Sequence, residues 1–248
     1  MTNFKDLFSG QAKEYAKYRP RYPAELFKYL SSLTGEHDLA WDCACGNGQA
    51  SVELTKYYKK IIATDASKTQ VQNAIPHPKI QYFSALAEDS GLETNSADII
   101  TAATAIHFFD NDKFFGEVKR ILKKNGIIAV WNYAHSDISP EVNNIMHAFA
   151  YELLEKHWPE ETLRSWNLEE NIRFPFTRIK TPEFSMFADW SLKEFLNYVY
   201  TWSAVQNYMR DNDENPLEKL ENELKKFWSG ENSVKRINWK LNMKIGRV

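Results

Sequence analysis

Only two cysteines occur in the 248 residues, Cys43 and Cys45, and a single residue separates them. That spacing suits neither an ordinary disulfide nor a four-ligand zinc site, so both thiols are expected to be reduced, in a reducing compartment. No apolar run approaches the roughly 18 residues of a membrane span. Met1 to Gly10 lacks the basic stretch and apolar core of a secretory leader. A soluble, cytoplasmic protein with no membrane partner is expected. Charge of one sign is missing too: 31 Lys and Arg face 33 Asp and Glu, a net charge of −2, which disfavours a nucleic-acid partner. The six histidines form no pair at metal-ligand spacing, so no metal is expected. The absence of a Gly-x-Ser-x-Gly turn argues against a Ser-His-Asp hydrolase. No internal period marks a solenoid or propeller.

What is present is a chain long enough to bury roughly 70 to 75% of its unfolded surface in one core. Short strands are predicted at Leu39 to Cys43, Lys60 to Asp65, Ile80 to Ser84, Ala97 to Ala103 and Gly126 to Asn132, separated by helical stretches. Phe114, Phe115, Val118, Ile121 and Leu122 share one helical face that should run to a stop at Asn125-Gly126. Strands linked by crossover helices imply a parallel sheet covered on both faces. From Ser136 to Arg173 the pattern turns helical and aromatic, with Tyr151, Trp158 and Trp166 and no strand, as in an inserted cap. A strand near Phe184 to Trp190 and helices carrying Leu192 to Val199 and Leu217 to Phe227 follow. At the end Ile237, Trp239, Leu241, Met243 and Ile245 alternate with polar residues, which predicts a strand added antiparallel to the sheet.

The chemistry lies in Trp41-Asp42-Cys43-Ala44-Cys45-Gly46-Asn47-Gly48-Gln49, where the first strand turns into a helix. Glycines there let backbone approach a ligand, and a helix start near Gly48 offers unpaired N–H groups to an anion. A dinucleotide site wants Gly-x-Gly-x-x-Gly, but Ser51 stands at the third glycine's place. Asp42 at the strand end repels a pyrophosphate and attracts an ammonium or a sulfonium. S-adenosylmethionine carries a carboxylate for the helix end and both cations for the acid. Asp65 ends the second strand at the spacing from which a carboxylate meets ribose hydroxyls, although an Asp at a strand end also serves as a helix N-cap.

In this order and spacing the sequence resembles the class I S-adenosylmethionine-dependent methyltransferases. More narrowly it resembles the trans-aconitate methyltransferase-like group, through Tyr15-x-x-x-Arg19-Pro20-x-Tyr22-Pro23, Ala105-Ile106-His107-Phe108-Phe109, Trp131-Asn132-Tyr133 and Thr201-Trp202-Ser203-Ala204-Val205. The resemblance implies an α/β, Rossmann-like sheet, mostly parallel with an antiparallel C-terminal strand, helices on both faces and a helical cap. It divides the chain into an N-terminal lid segment (1–36), a cofactor-binding part (37–135), the cap (136–180) and a part completing the sheet (181–248). It implies S-adenosylmethionine as cofactor, with Asp42, Ala44 and Gly46 at its methionine end and Asp65 at the ribose. Ala87 and Glu88 would border the adenine, and Thr104 and Ala105 would add backbone contacts. Ala44 replaces a glycine and so is expected to have ordinary backbone angles, and Leu86 stands where relatives often carry an Asp.

A small acceptor, such as an organic acid methylated on a carboxylate oxygen, would lie beside Arg19, Trp131, Tyr133, Trp202 and Tyr208, with His107 and Tyr15 as catalytic candidates. Large aromatics most often belong to a core, and His107 reads equally well as a hydrogen-bonded structural histidine. A cofactor-binding regulator of the same fold, without turnover, is the alternative function.

Overall fold

A computed structural model describes residues 18–133, 135–166, 168–228, 230 and 233–248. The catalytic candidate Tyr15 therefore lies outside the described residues. The first segment to pack is α1 (Ala24–Ser32), which buries Leu26, Phe27 and Leu30. Five parallel strands come next: β1 (Leu39–Cys43), β2 (Lys60–Asp65), β3 (Ile80–Ser84), β4 (Ala97–Ala103) and β5 (Leu122–Tyr133). Between them run α2 (Gln49–Leu54), α3 (Lys68–Gln72) and α4 (Asn111–Ile121). The first four strands coincide with the expected spans. The α4 helix stops at Ile121, short of Asn125-Gly126, because Leu122 is drawn into pairing with Ala97. A register shift then intervenes, and Asn125 takes a φ of 65°, which asparagine tolerates, before regular pairing resumes at Ile127.

The strand order is β3-β2-β1-β4-β5-β8-β6. The order reverses between β1 and β4, and the crevice at the C-terminal ends of those strands is where sheets of this kind bind ligands. The last strand, β8 (Val234–Arg247), runs antiparallel to β5 from Ile127↔Arg247 to Tyr133↔Leu241. Its other pairings are also antiparallel, with β6 (Thr177–Arg178) and β7 (Ser185–Ser191). Ile237, Trp239, Leu241 and Ile245 are buried as the alternation requires. Lys244, on the face expected to be wetter, is buried too, and its Nζ donates to the Ile172 carbonyl at 2.6 Å.

Two apolar clusters sandwich the sheet. On one face Leu26, Phe27 and Leu30 pack with Trp131 and Trp239, and on the other Phe114, Val118 and Ile121 pack with Trp41, Ile100 and Val130. Beyond β5 come α5 (Pro140–Ala148), a wider π turn (Phe149–Leu153), α6 (Glu160–Ser165) and α7 (Leu168–Asn171). The helices α8 (Leu192–Tyr200), α9 (Ser203–Asn212) and α10 (Leu217–Leu224) precede β8. The fold is α/β, a mostly parallel sheet with an antiparallel C-terminal strand and helices around it. No helix among the described residues is long and apolar enough to cross a membrane.

Candidate active site

The loop from β1 to α2 carries three left-handed residues at alternate positions, Ala44 (φ 53°), Gly46 (φ 54°) and Gly48 (φ 84°). A Cβ at Gly46 would meet no protein atom within 4 Å, so that stretch of backbone is bare. A Cβ at Gly48 would meet the Tyr82 hydroxyl, and the left-handed φ there strains any side chain. The expectation of ordinary angles at Ala44 is corrected here. The loop keeps the turn a glycine would make, and an alanine methyl bears its strain.

Asp42 is fully buried, and its carboxylate accepts from Ser51 Oγ at 2.5 Å and Thr101 Oγ1 at 2.8 Å. Ser51, which breaks the dinucleotide pattern, thus serves to hold the acid. Burial pushes the Asp42 pKa up to about 6, against the two hydroxyls that favour its anion. Asp65 accepts from the Gly46 N–H at 2.9 Å and the Ser67 N–H at 2.8 Å. The N-cap of α3 is Ser67, which accepts from the Gln70 N–H, so Asp65 ties the glycine loop to β2 instead of capping the helix.

A cavity of about 430 Å³ opens over these strand ends. Its wall brings together Asp42, Ala44, Gly46, Asp65, Ala87, Glu88, Thr104 and Ala105, and also Leu86. Glu88 accepts from the Asp110 N–H at 2.7 Å. Thr104 takes a φ of 56°, rare for a β-branched residue. Its N–H donates to the Trp131 carbonyl at 2.6 Å, and its hydroxyl lies 3.2 Å from that of Tyr22.

His107, in a short turn after β4, lines the same cavity. Its Nδ1 is buried with no hydrogen-bond partner among the described residues, and burial pushes its pKa down to about 4. Arg19, Tyr133 and Trp202 also reach the cavity. The Arg19 guanidinium donates to the Tyr133 hydroxyl at 2.9 Å and the Thr201 carbonyl at 3.4 Å, and lies 5.3 Å from the Tyr198 ring centroid.

Two expected acceptor residues are corrected. Trp131 is fully buried under α1, edge-on to Tyr22 and Phe27, and does not line the cavity. Tyr208 packs on His157 and bonds Glu214 at 3.4 Å, away from the cavity wall. Sequence reasoning missed Tyr198, His135, Glu161 and, as lining residues, Trp158 and Trp166. Tyr198 could have been found from its four-residue spacing to Trp202, and His135 as the next alternate position after Tyr133. Glu161 gave no signal, because nothing in its surroundings marks a short cap helix as facing a ligand.

The wall fits S-adenosylmethionine. Bare backbone at Gly46 leaves room beside the loop, and the carboxylates of Asp42, Asp65 and Glu88 suit a cofactor that carries an ammonium, a sulfonium and ribose hydroxyls.

Residues 41–130 match the family described as a methyltransferase domain. A solved structure from Anaeromyxobacter dehalogenans, named as a type II methyltransferase, is 33% identical with a TM-score of 0.88, over 93% of this chain and 98% of that one. A Dictyostelium discoideum protein named as a methyltransferase is 28% identical over 99% of this chain and 96% of its own length. A Saccharomyces cerevisiae protein named as an S-adenosylmethionine-dependent methyltransferase is 27% identical over 92% of each. The chain belongs to the class I S-adenosylmethionine-dependent methyltransferases, and S-adenosylmethionine is its cofactor.

Proposed function

We propose that this chain methylates a small organic acid on a carboxylate oxygen, as a member of the trans-aconitate methyltransferase-like group. The observation that carries this reading is Arg19, which alone among the described Lys and Arg residues lines the cavity. A guanidinium held against Tyr198 and Tyr133 presents a planar fork suited to both oxygens of a carboxylate. A cavity of about 430 Å³ is of the size that takes small molecules.

When bound, S-adenosylmethionine supplies the methyl group as an electrophile on a sulfonium leaving group. In this reading Asp42, Ala44 and Gly46 hold its methionine end, Asp65 the ribose, Ala87 and Glu88 the adenine, and Thr104 and Ala105 add backbone contacts. The task left to the protein is to align the acceptor oxygen and exclude water. Arg19, Tyr133 and Trp202 orient the acceptor. In this reading the cap 136–180 closes over the cofactor-binding part 37–135, while 181–248 complete the sheet. A carboxylate needs no base, so His107, neutral because burial lowers its pKa, serves as an uncharged part of the cavity wall. With a hydroxyl acceptor it would instead take the proton.

Kinetics with a panel of small acids test this. Arg19→Lys keeps the charge and loses the fork, and is expected to lower kcat/KM for acids about 10- to 100-fold, as loss of a charge-assisted pair of hydrogen bonds would. Unchanged kcat/KM in a stably folded variant, or methylation of neutral and cationic compounds alone, would overturn the reading.

A further inference from the structure

Trp166 lines two cavities at once, the active-site cavity and a second one of about 270 Å³. Leu168, Pro182, Leu241 and Met243 line the second cavity together with the polar Thr181 and Asn242. Lys240 and Glu183, paired at 2.5 Å and exposed, stand at its polar edge. The Trp166 ring is held by Tyr151 (4.9 Å between centroids), Trp158 (5.2 Å) and His135 (5.2 Å), in edge-to-face packing. The preceding residue is anchored as well, because the Ser165 carbonyl accepts from the buried Asn132 side chain at the end of β5. Trp166, packed against three rings and next to a residue tied to the sheet, thus stands in the wall of both spaces.

We propose that Trp166 is a specificity-determining residue that sets the length limit of the acceptor, walling it off from a second cavity that an unbranched tail would enter along Leu168, Leu241 and Met243. The proposal rests on the carboxylic-acid reading above. A short acid ends against the indole. A longer one would have to pass into the space between Leu168, Leu241 and Met243, where each methylene removed from water adds roughly a fourfold gain in binding.

The test is a homologous series of straight-chain carboxylic acids, monitored by kcat/KM and by calorimetric titration into the S-adenosylhomocysteine complex. Trp166→Ala is expected to shift the preference toward longer acids by roughly fourfold for each of the first few methylenes. Filling the second cavity in that background with Met243→Trp, or with Thr181→Phe if that variant does not fold, should cancel the gain. A length profile that does not move in folded Trp166→Ala would overturn the proposal. So would a gain that survives the filling substitution, because the extra room would then lie within the first cavity. If no acid is turned over by any variant, the acceptor reading fails while the length profile in the calorimeter still decides the role of Trp166. If no acid binds to any of them, both fall.

Discussion

An ionised carboxylate with no exposed surface works against its own burial, and Asp42 is in that position at neutral pH. Its two hydroxyl partners, Ser51 and Thr101, lessen the cost without removing it. The folded-state pKa is raised from 3.8 to about 6. The stability Asp42 contributes is therefore fully present below its unfolded value and is lost as the pH rises through about 6. Asparagine has the same shape and stays neutral, and a serine hydroxyl can turn to accept from its amide. Asp42→Asn is thus expected to stabilise the free protein near neutral pH, by at most about 3 kcal/mol, with the gain fading to nothing toward about pH 4. The same substitution should weaken cofactor binding by removing a charge from the cationic end of the ligand. Urea unfolding across that pH range, with calorimetric binding beside it, checks both halves. Lower stability at neutral pH would mean that the two hydroxyls outweigh the desolvation.

At the scale of the element, the β1–α2 loop places an alanine in a left-handed conformation. An L-residue there costs roughly 1 to 2 kcal/mol, whereas glycine loses instead about 0.5 to 1 kcal/mol through extra backbone entropy. Ala44→Gly is expected to stabilise the fold by up to about 1 kcal/mol in denaturant unfolding. A loss of stability would show that the methyl group makes contacts worth more than the strain. This loop was legible in the sequence because an acid leading into spaced glycines at a strand end has few other uses, and β1 to β4 were legible from turn residues bounding short apolar runs.

The aromatic wall was less legible. Trp131 and Tyr133 occupy the same face of β5, and what separates core from cavity is depth along the strand: Trp131 lies beneath α1, whereas Tyr133 reaches the strand end. The two-residue β6 has no period to read, and the stop of α4 at Ile121 is set by pairing with Ala97, a partner 25 residues earlier in the chain.

Across the whole molecule, the cavity is assembled from Arg19, Asp65, Thr104, Tyr133 and Trp202, which span most of the chain. Arg19 also bonds the Thr201 carbonyl, so the segment before α1 is tied to the turn between α8 and α9. A ligand that touches all of these binds the folded chain and not the unfolded one, and stabilises it by mass action. At a hundred times its dissociation constant that amounts to about 2.7 kcal/mol, or roughly 5 to 11 °C in Tm for a chain of this size. S-adenosylhomocysteine is expected to give a shift of that order. NADP should give none: its pyrophosphate would approach the Asp42 carboxylate, in a loop where Ser51 replaces the third glycine of a dinucleotide site. Asp65→Ala should lower S-adenosylhomocysteine affinity about 10- to 100-fold through loss of charge-assisted hydrogen bonds to the ribose, and shrink the Tm shift with it. Because Asp65 also holds the Gly46 and Ser67 N–H groups, the Tm of the variant without ligand separates loop damage from ribose contact. Scanning calorimetry on both proteins with both ligands checks these outcomes. An equal shift with NADP would show that the cavity selects an adenosine moiety alone and that the loop does not distinguish a pyrophosphate from an amino-acid tail.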